Sequence, residues 1–196
     1  MCAFNLAGVV SALNSGEVIV YPTDTLYGLG ADIYNDEAVK KIFLLKKRGF
    51  DQPLSVAVAN LEDLEDIAFV DDRVRCIAEE FLPGSLTLVL KKKNVVSDLV
   101  TAGSDTIAVR IPNNPIALRL LGIFGPLTCT SANIHGESTS ANVDDIRKDF
   151  EADVMVYIDA GKLESLPSTI VDLSEDEPKI IREGVIPSEE VLKAIN

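Results

Sequence analysis

The chain has 196 residues, and its 18 Lys and Arg against 31 Asp and Glu give a formal charge of −13. One domain over residues 1–196 fits that length, and 47% hydrophobic with 25% charged residues excludes a disordered chain. The acidic balance excludes a protein that coats nucleic acid with its whole surface, although it leaves room for a local basic site.

Leu6 to Leu13 has helical apolar spacing that stops near Gly16, and Glu17 to Tyr21 reads as a short buried strand. Pro22 to Gly30 (PTDTLYGLG) is rich in Pro, Thr and Gly and reads as an irregular loop, with Gly28 and Gly30 in a tight turn at positive φ. Asn35 caps a helix with Asp36 and Glu37 in its first turn and an apolar face of Ala38, Val39, Ile42, Phe43 and Leu45. Leu54 to Val58 is a strand, followed by acidic helices near Leu61–Ala68 and Asp72–Phe81. Leu86–Leu90 and Thr106–Ile111 are strands around a segment with room for a short helix. Asn114 and Pro115 open a helix through Leu121. Leu127–Thr130 is a strand running into a second polar loop, Ser131–Asn142 (SANIHGESTSAN). A helix near Val143–Phe150, strands at Val154–Asp159, Ser168–Leu173 and Lys179–Arg182, and a helix capped by Ser188 complete the chain. This alternation defines the α/β class with a mixed, twisted sheet.

The basic residues cluster. Lys40, Lys41, Lys46, Lys47 and Arg48 form one run without an acid, Lys91 to Lys93 another, and Arg110 and Arg182 follow singly. Such runs are usually solvated faces; the sharper alternative is a small cationic pocket within an acidic body. Lys40, Lys41 and Lys47 belong to the polar face of their helix, with Lys46 and Arg48 at its end.

Several chemistries are missing. His135, the only histidine, sits in a polar loop and reads as solvent-facing. No zinc spacing and no phosphate-loop motif occurs, and Gly28-Leu29-Gly30 lacks the third glycine of a dinucleotide fingerprint. Cys2, Cys76 and Cys129 make no CxxC pair, which points to a reducing cytoplasm, and Cys129 reads as a small buried residue. No apolar run has bilayer length, and no secretory signal is expected. An enzyme with this inventory works by positioning and electrostatics. Both polar loops begin where a strand ends, the usual ligand position in open α/β sheets.

Seven segments carry a resemblance. Tyr21–Asp32 (YPTDTLYGLGAD), Lys46-Lys47-Arg48 with Pro53-Leu54, Pro83–Leu90 (PGSLTLVL) and Thr106–Pro112 (TIAVRIP) resemble the YrdC-like family. So do Ser131-Ala132-Asn133, Ser168–Asp172 (STIVD) and Arg182-Glu183-Gly184. The resemblance implies a YrdC-like α/β fold with a twisted mixed sheet, flanking helices and a concave cationic cavity. It implies synthesis of threonylcarbamoyl-AMP from L-threonine, bicarbonate or CO2, and ATP, with release of pyrophosphate. ATP is then a substrate, and Mg2+ accompanies its phosphates without a metal site on the protein. The product serves threonylcarbamoylation of tRNA and passes to a separate transferase complex, so direct tRNA binding is weak or unnecessary. A cytoplasmic location and no membrane partner go with this reading.

Carried over by motif, Lys46 and Arg48 with Ser131 and Asn133 match the family's Lys-x-Arg and Ser-x-Asn signature around the nucleotide, Lys46 and Arg48 being the catalytic pair. Gln52, Thr106, Thr139 and Arg182 resemble further ATP contacts, and Thr25, Arg110 and Ser168 resemble threonine contacts. The chain departs from the common pattern at Gly49, where Pro is frequent; at Ala57, where some members have His; and at Cys129 and His135, where Ala and Ser are common. Alternatives from other classes are an RNA-binding module, a related carbamoyl-adenylate enzyme and a nucleotide sensor.

Overall fold

Helices begin where short polar side chains meet free backbone N–H groups. Asn35 accepts from the amides of Glu37 and Ala38 at the start of α2 (Asp36–Lys46), and Asn114 from Ile116 and Ala117 at the start of α6 (Pro115–Phe124). Asn5, Asn60, Asp71 and Ser97 do the same for α1 (Leu6–Asn14), α3 (Leu61–Ile67), α4 (Asp72–Phe81) and α5 (Asp98–Thr101). The computed structural model describes residues 5–150 and 153–195, so Cys2 lies outside the described residues. Two further helices are α7 (Val143–Phe150) and α8 (Ser188–Ile195). Among the described residues no helix is long and apolar enough to cross a membrane.

The strands form two mixed sheets where the chain pattern predicts one. The smaller is ordered β7-β2-β1-β8, from β1 (Ile19–Pro22), β2 (Tyr27–Gly30), β7 (Thr130–Ser131) and β8 (Val156–Tyr157). The larger is ordered β10-β9-β4-β5-β3-β6, from β3 (Ser55–Ala57), β4 (Leu86–Lys91), β5 (Thr106–Arg110), β6 (Leu127–Thr128), β9 (Thr169–Asp172) and β10 (Lys179–Arg182). β3 with β5, β4 with β9, and β1 with β8 are parallel; the other named pairs are antiparallel.

The split arises at Leu127–Ser131. Leu127 and Thr128 pair with β3, while Thr130 and Ser131 pair with β2, so one predicted strand serves both sheets. Strand periodicity does not show which partner each half takes. The irregular loop predicted for Pro22–Gly30 is also corrected, since Tyr27–Gly30 is a strand paired with β1. Gly28 and Gly30 are absent from the positive-φ glycines, so they do not form the expected turn. They lie against the Tyr21 ring, and a Cβ at Gly30 would come within 2.9 Å of Tyr21 Cε1. Glycine here admits a close aromatic neighbour.

One face of the larger sheet is core. Leu86, Leu88, Leu90, Ile107, Val109 and Val171 pack in one buried cluster with Val74, Ile77 and Ala78 of α4 and Val191 of α8. Each Val, Leu or Ile among them contributes about 2 kcal/mol on leaving water. A second cluster joins Val9 and Leu13 of α1 to Ala117, Leu120 and Leu121 of α6 across Ile19 and Tyr21. Alternation along β4 and β5 therefore leaves Thr87, Val89, Ala108 and Arg110 to the other face, where they line a cavity shared with β2 and β7.

Candidate active site

The cavity holds about 520 Å³ and is bounded by both sheets and both polar loops. Its charged lining residues are Arg48, Arg110, Arg182 and Glu137. Of the residues singled out in the sequence, it brings together Thr25, Arg48, Arg110, Ser131, Asn133, Thr139, Ser168 and Arg182. Gln52 and Thr106 are not among its lining residues. Gln52 lies in the turn between the lining residues Arg48 and Pro53. Thr106 begins β5, two and four residues before the lining Ala108 and Arg110, with its hydroxyl 2.9 Å from that of Ser104.

Lys46 occupies neither the solvated face nor the cavity lining. It is 2% exposed, and its ammonium donates to Ser131 O at 2.5 Å, Asn133 O at 2.8 Å and Asn133 Oδ1 at 3.2 Å. Burial, and then the neighbouring Arg48, lowers its pKa to about 7. Three oxygen acceptors oppose that loss, since a neutral amine has only two N–H groups to offer. Asn133 Nδ2 donates to Ile134 O and Glu137 O, and Ser131 Oγ donates to Asn133 Oδ1. Lys46 thus ties the end of α2 to the Ser131–Asn133 loop.

Arg48 follows Lys47, which ends α2 in the left-handed region at φ 50°, and turns back so that Nη2 donates to Pro53 O at 2.8 Å. Its Nε is buried without a hydrogen-bond partner. Arg182 donates through Nε and Nη2 to Ser168 O, at 3.1 and 2.8 Å, and through Nη2 to Ser168 Oγ at 3.3 Å. Ser168 Oγ lies 2.8 Å from Thr87 Oγ1. Burial lowers the pKa of both Arg48 and Arg182, with Arg110 adding to the effect at Arg182.

Arg110 is both a buried ion pair and a cavity residue. Its Nη2 donates to Asp24 Oδ1 at 2.6 Å and Gly84 O at 3.2 Å, and Nη1 donates to Thr25 Oγ1 at 3.2 Å. Thr25 is held by Thr23, whose hydroxyl accepts from the amides of Thr25 and Leu26 and donates to Leu26 O. Sequence reasoning missed Thr87 and Ser55. Thr87 carried a usable signal, a polar residue alternating with Leu86, Leu88 and Leu90 in an otherwise apolar strand; Ser55 carried none. Cys129, expected as a small buried residue, lines the cavity, and burial pushes its thiol pKa up. His135 is exposed, as its loop position predicts.

The donor set consists of guanidinium groups, hydroxyls and one carboxamide, which suits anionic groups held by hydrogen bonds. No group of three or more His, Cys, Asp or Glu that could hold a metal occurs among the described residues. Fold and site together define an α/β protein with an arginine-lined cavity between two sheets.

The chain belongs to the Sua5/YciO/YrdC family, described as "Telomere recombination", whose model matches residues 11–184. A Methanocaldococcus jannaschii relative is 43% identical over 180 residues, 91% of this chain and 85% of the relative. The threonylcarbamoyl-AMP synthase of Pyrococcus abyssi is 39% identical over 186 residues, 93% of this chain but 55% of that protein. The structure of P. abyssi Sua5 complexed with L-threonine superposes with a TM-score of 0.93 at 37% identity, covering 97% of this chain and 57% of that one. Escherichia coli YciO superposes with a TM-score of 0.86 at 31% identity, covering 93% of this chain and 90% of that one. This chain therefore spans little more than half of the P. abyssi protein.

Proposed function

We propose that the chain is a threonylcarbamoyl-AMP synthase, a nucleotidyl-transferring enzyme that makes L-threonylcarbamoyladenylate and pyrophosphate from L-threonine, bicarbonate and ATP. The observation that carries this reading is the convergence of Arg48, Arg110 and Arg182 with Thr25, Ser131, Asn133, Thr139 and Ser168 in one cavity. The kinship with the P. abyssi synthase supports it.

Threonine's amine adds to the carbon of CO2, or of bicarbonate with loss of water, giving a carbamate. A carbamate oxygen then attacks the α-phosphorus of ATP. The bond from that phosphorus to the oxygen bridging to the β-phosphate breaks, and pyrophosphate leaves with both electrons. The reactants carry negative groups, so the protein's task is to gather anions and stabilise charge along the displacement. Arg48, Ser131, Asn133, Thr139 and Arg182 are assigned to the nucleotide, with Gln52 and Thr106 as outlying contacts. Lys46 acts in this scheme by fixing the Ser131–Asn133 loop. Thr25, Arg110 and Ser168 are assigned to threonine, with Arg110 facing its carboxylate. Mg2+ enters on the ATP phosphates as part of the substrate. The residues 1–196 act as one YrdC-like domain, its product passing to a tRNA-modifying transferase in the cytoplasm.

Pyrophosphate release, measured with each substrate omitted in turn and with several amino acids, tests the reading. Release is expected only when ATP, bicarbonate and threonine are all present, and R48A and S131A lower it by about tenfold or more while remaining folded. Absence of threonine-dependent release from folded protein rejects it.

A further inference from the structure

Arg110 is held from behind by a carboxylate outside the cavity. Asp24 is not among the lining residues, yet its Oδ1 accepts from Arg110 Nη2 at 2.6 Å. Its Oδ2 accepts from Ser85 Oγ at 2.7 Å, so both oxygens of one carboxylate are engaged. The pair is enclosed, with side-chain exposures of 6% for Arg110 and 11% for Asp24. Asp24 itself sits in the Thr23–Leu26 turn, whose Thr23 carbonyl accepts from Asn114 Nδ2 at 3.2 Å. Turn, ion pair and Ser85 form a chain of contacts ending at the guanidinium.

That chain determines which N–H groups remain for a ligand. Nη2 donates to Asp24 and Gly84 O, and one Nη1 hydrogen goes to Thr25. Nε is buried without a partner, leaving Nε–H and the second Nη1 hydrogen unassigned. A guanidinium free to rotate about its stem would present any edge; this one is held at Nη2 by a charged partner and at Nη1 by Thr25.

We propose that Asp24 is a positioning residue for the amino-acid substrate. Acting through Arg110, and itself held by Ser85, it sets the guanidinium orientation that meets the substrate carboxylate. Asp24 also balances a buried charge that would otherwise repel Arg182, whose pKa Arg110 already lowers. The inference rests on the reading above that Arg110 faces the threonine carboxylate.

Steady-state kinetics on D24N, S85A and R110A test it, with folding checked by thermal denaturation. D24N keeps the side chain's shape and removes its charge. It is expected to raise the KM for threonine about tenfold, with the KM for ATP changed less than about twofold. S85A, one hydrogen bond further out, moves the threonine KM in the same direction by about threefold and serves if D24N does not fold. A purely structural role would lower the active fraction, and hence kcat, and leave both KM values in place. Unchanged threonine KM in the folded variants, with R110A raising it, overturns the role of Asp24 alone. A wild-type protein without threonine-dependent turnover overturns the reading of the cavity, and this inference with it.

Discussion

Lys46 has a long apolar stem, sealed at 2% exposure, and an ammonium that meets three oxygens of the Ser131–Asn133 loop. Because burial and Arg48 bring its pKa to about 7, the charge that organises this loop is lost above neutrality. A nucleotide held by the Ser131–Asn133 loop favours the loop as the protonated Lys46 organises it, and so raises the Lys46 pKa. Above pH 7 the free protein lacks a proton that the complex holds, so binding takes up a proton and weakens as pH rises. Calorimetry of ATP binding in buffers of different ionisation enthalpy is expected to show proton uptake at pH 8 and a fall in affinity from pH 7 to 9. Affinity constant over that range, with no proton uptake, contradicts the role of a charged Lys46 in organising the nucleotide loop.

Strand β2 shows how glycines shape the cavity wall. Gly28 and Gly30 leave room for the Tyr21 ring, whose hydroxyl reaches Thr128 O at 3.1 Å, so β1, β2 and the chain crossing between the sheets lock together. G30A places a methyl group against a fully buried ring and is expected to cost about 1–3 kcal/mol, read by urea denaturation. Unchanged stability would show that Tyr21 yields readily. The same region marks where local sequence stops informing. Cap residues such as Asn35 and Asn114 act on neighbouring amides, so their helices were readable at short range. Strand alternation in LTLVL and TIAVRI likewise separates core from cavity. The pairing of Tyr27–Gly30 with β1, and the division of Leu127–Ser131 between two sheets, depend on partners far along the chain. Eight of the residues singled out by motif line the cavity. The ion pair behind Arg110, and the depth of Lys46, depend on tertiary burial that no spacing rule contains.

The charge of −13 reads differently once its partners are known. The basic run in α2 divides: Lys40 pairs with Glu37 and Lys41 with Glu17, whereas Lys46 and Arg48 turn toward the cavity loops. Lys91 and Lys92 pair with Glu175 and Asp98, and Arg73, Arg75 and Lys148 also meet acids. These surface cations are thus locally offset, while the arginines Arg48, Arg110 and Arg182 converge in one cavity. Such a distribution suits a small polyanion and disfavours a nucleic-acid backbone, so tRNA is expected to bind more weakly than about 100 µM at physiological salt. Tight, steeply salt-dependent retention of tRNA in a filter-binding assay would favour the RNA-binding alternative. The most direct test follows the carbon. Incubation with 13C-bicarbonate, ATP and L-threonine is predicted to give, by mass spectrometry, an adenylate carrying both the label and threonine. An adenylate without label, or no new adenylate from folded protein, would contradict the proposed chemistry.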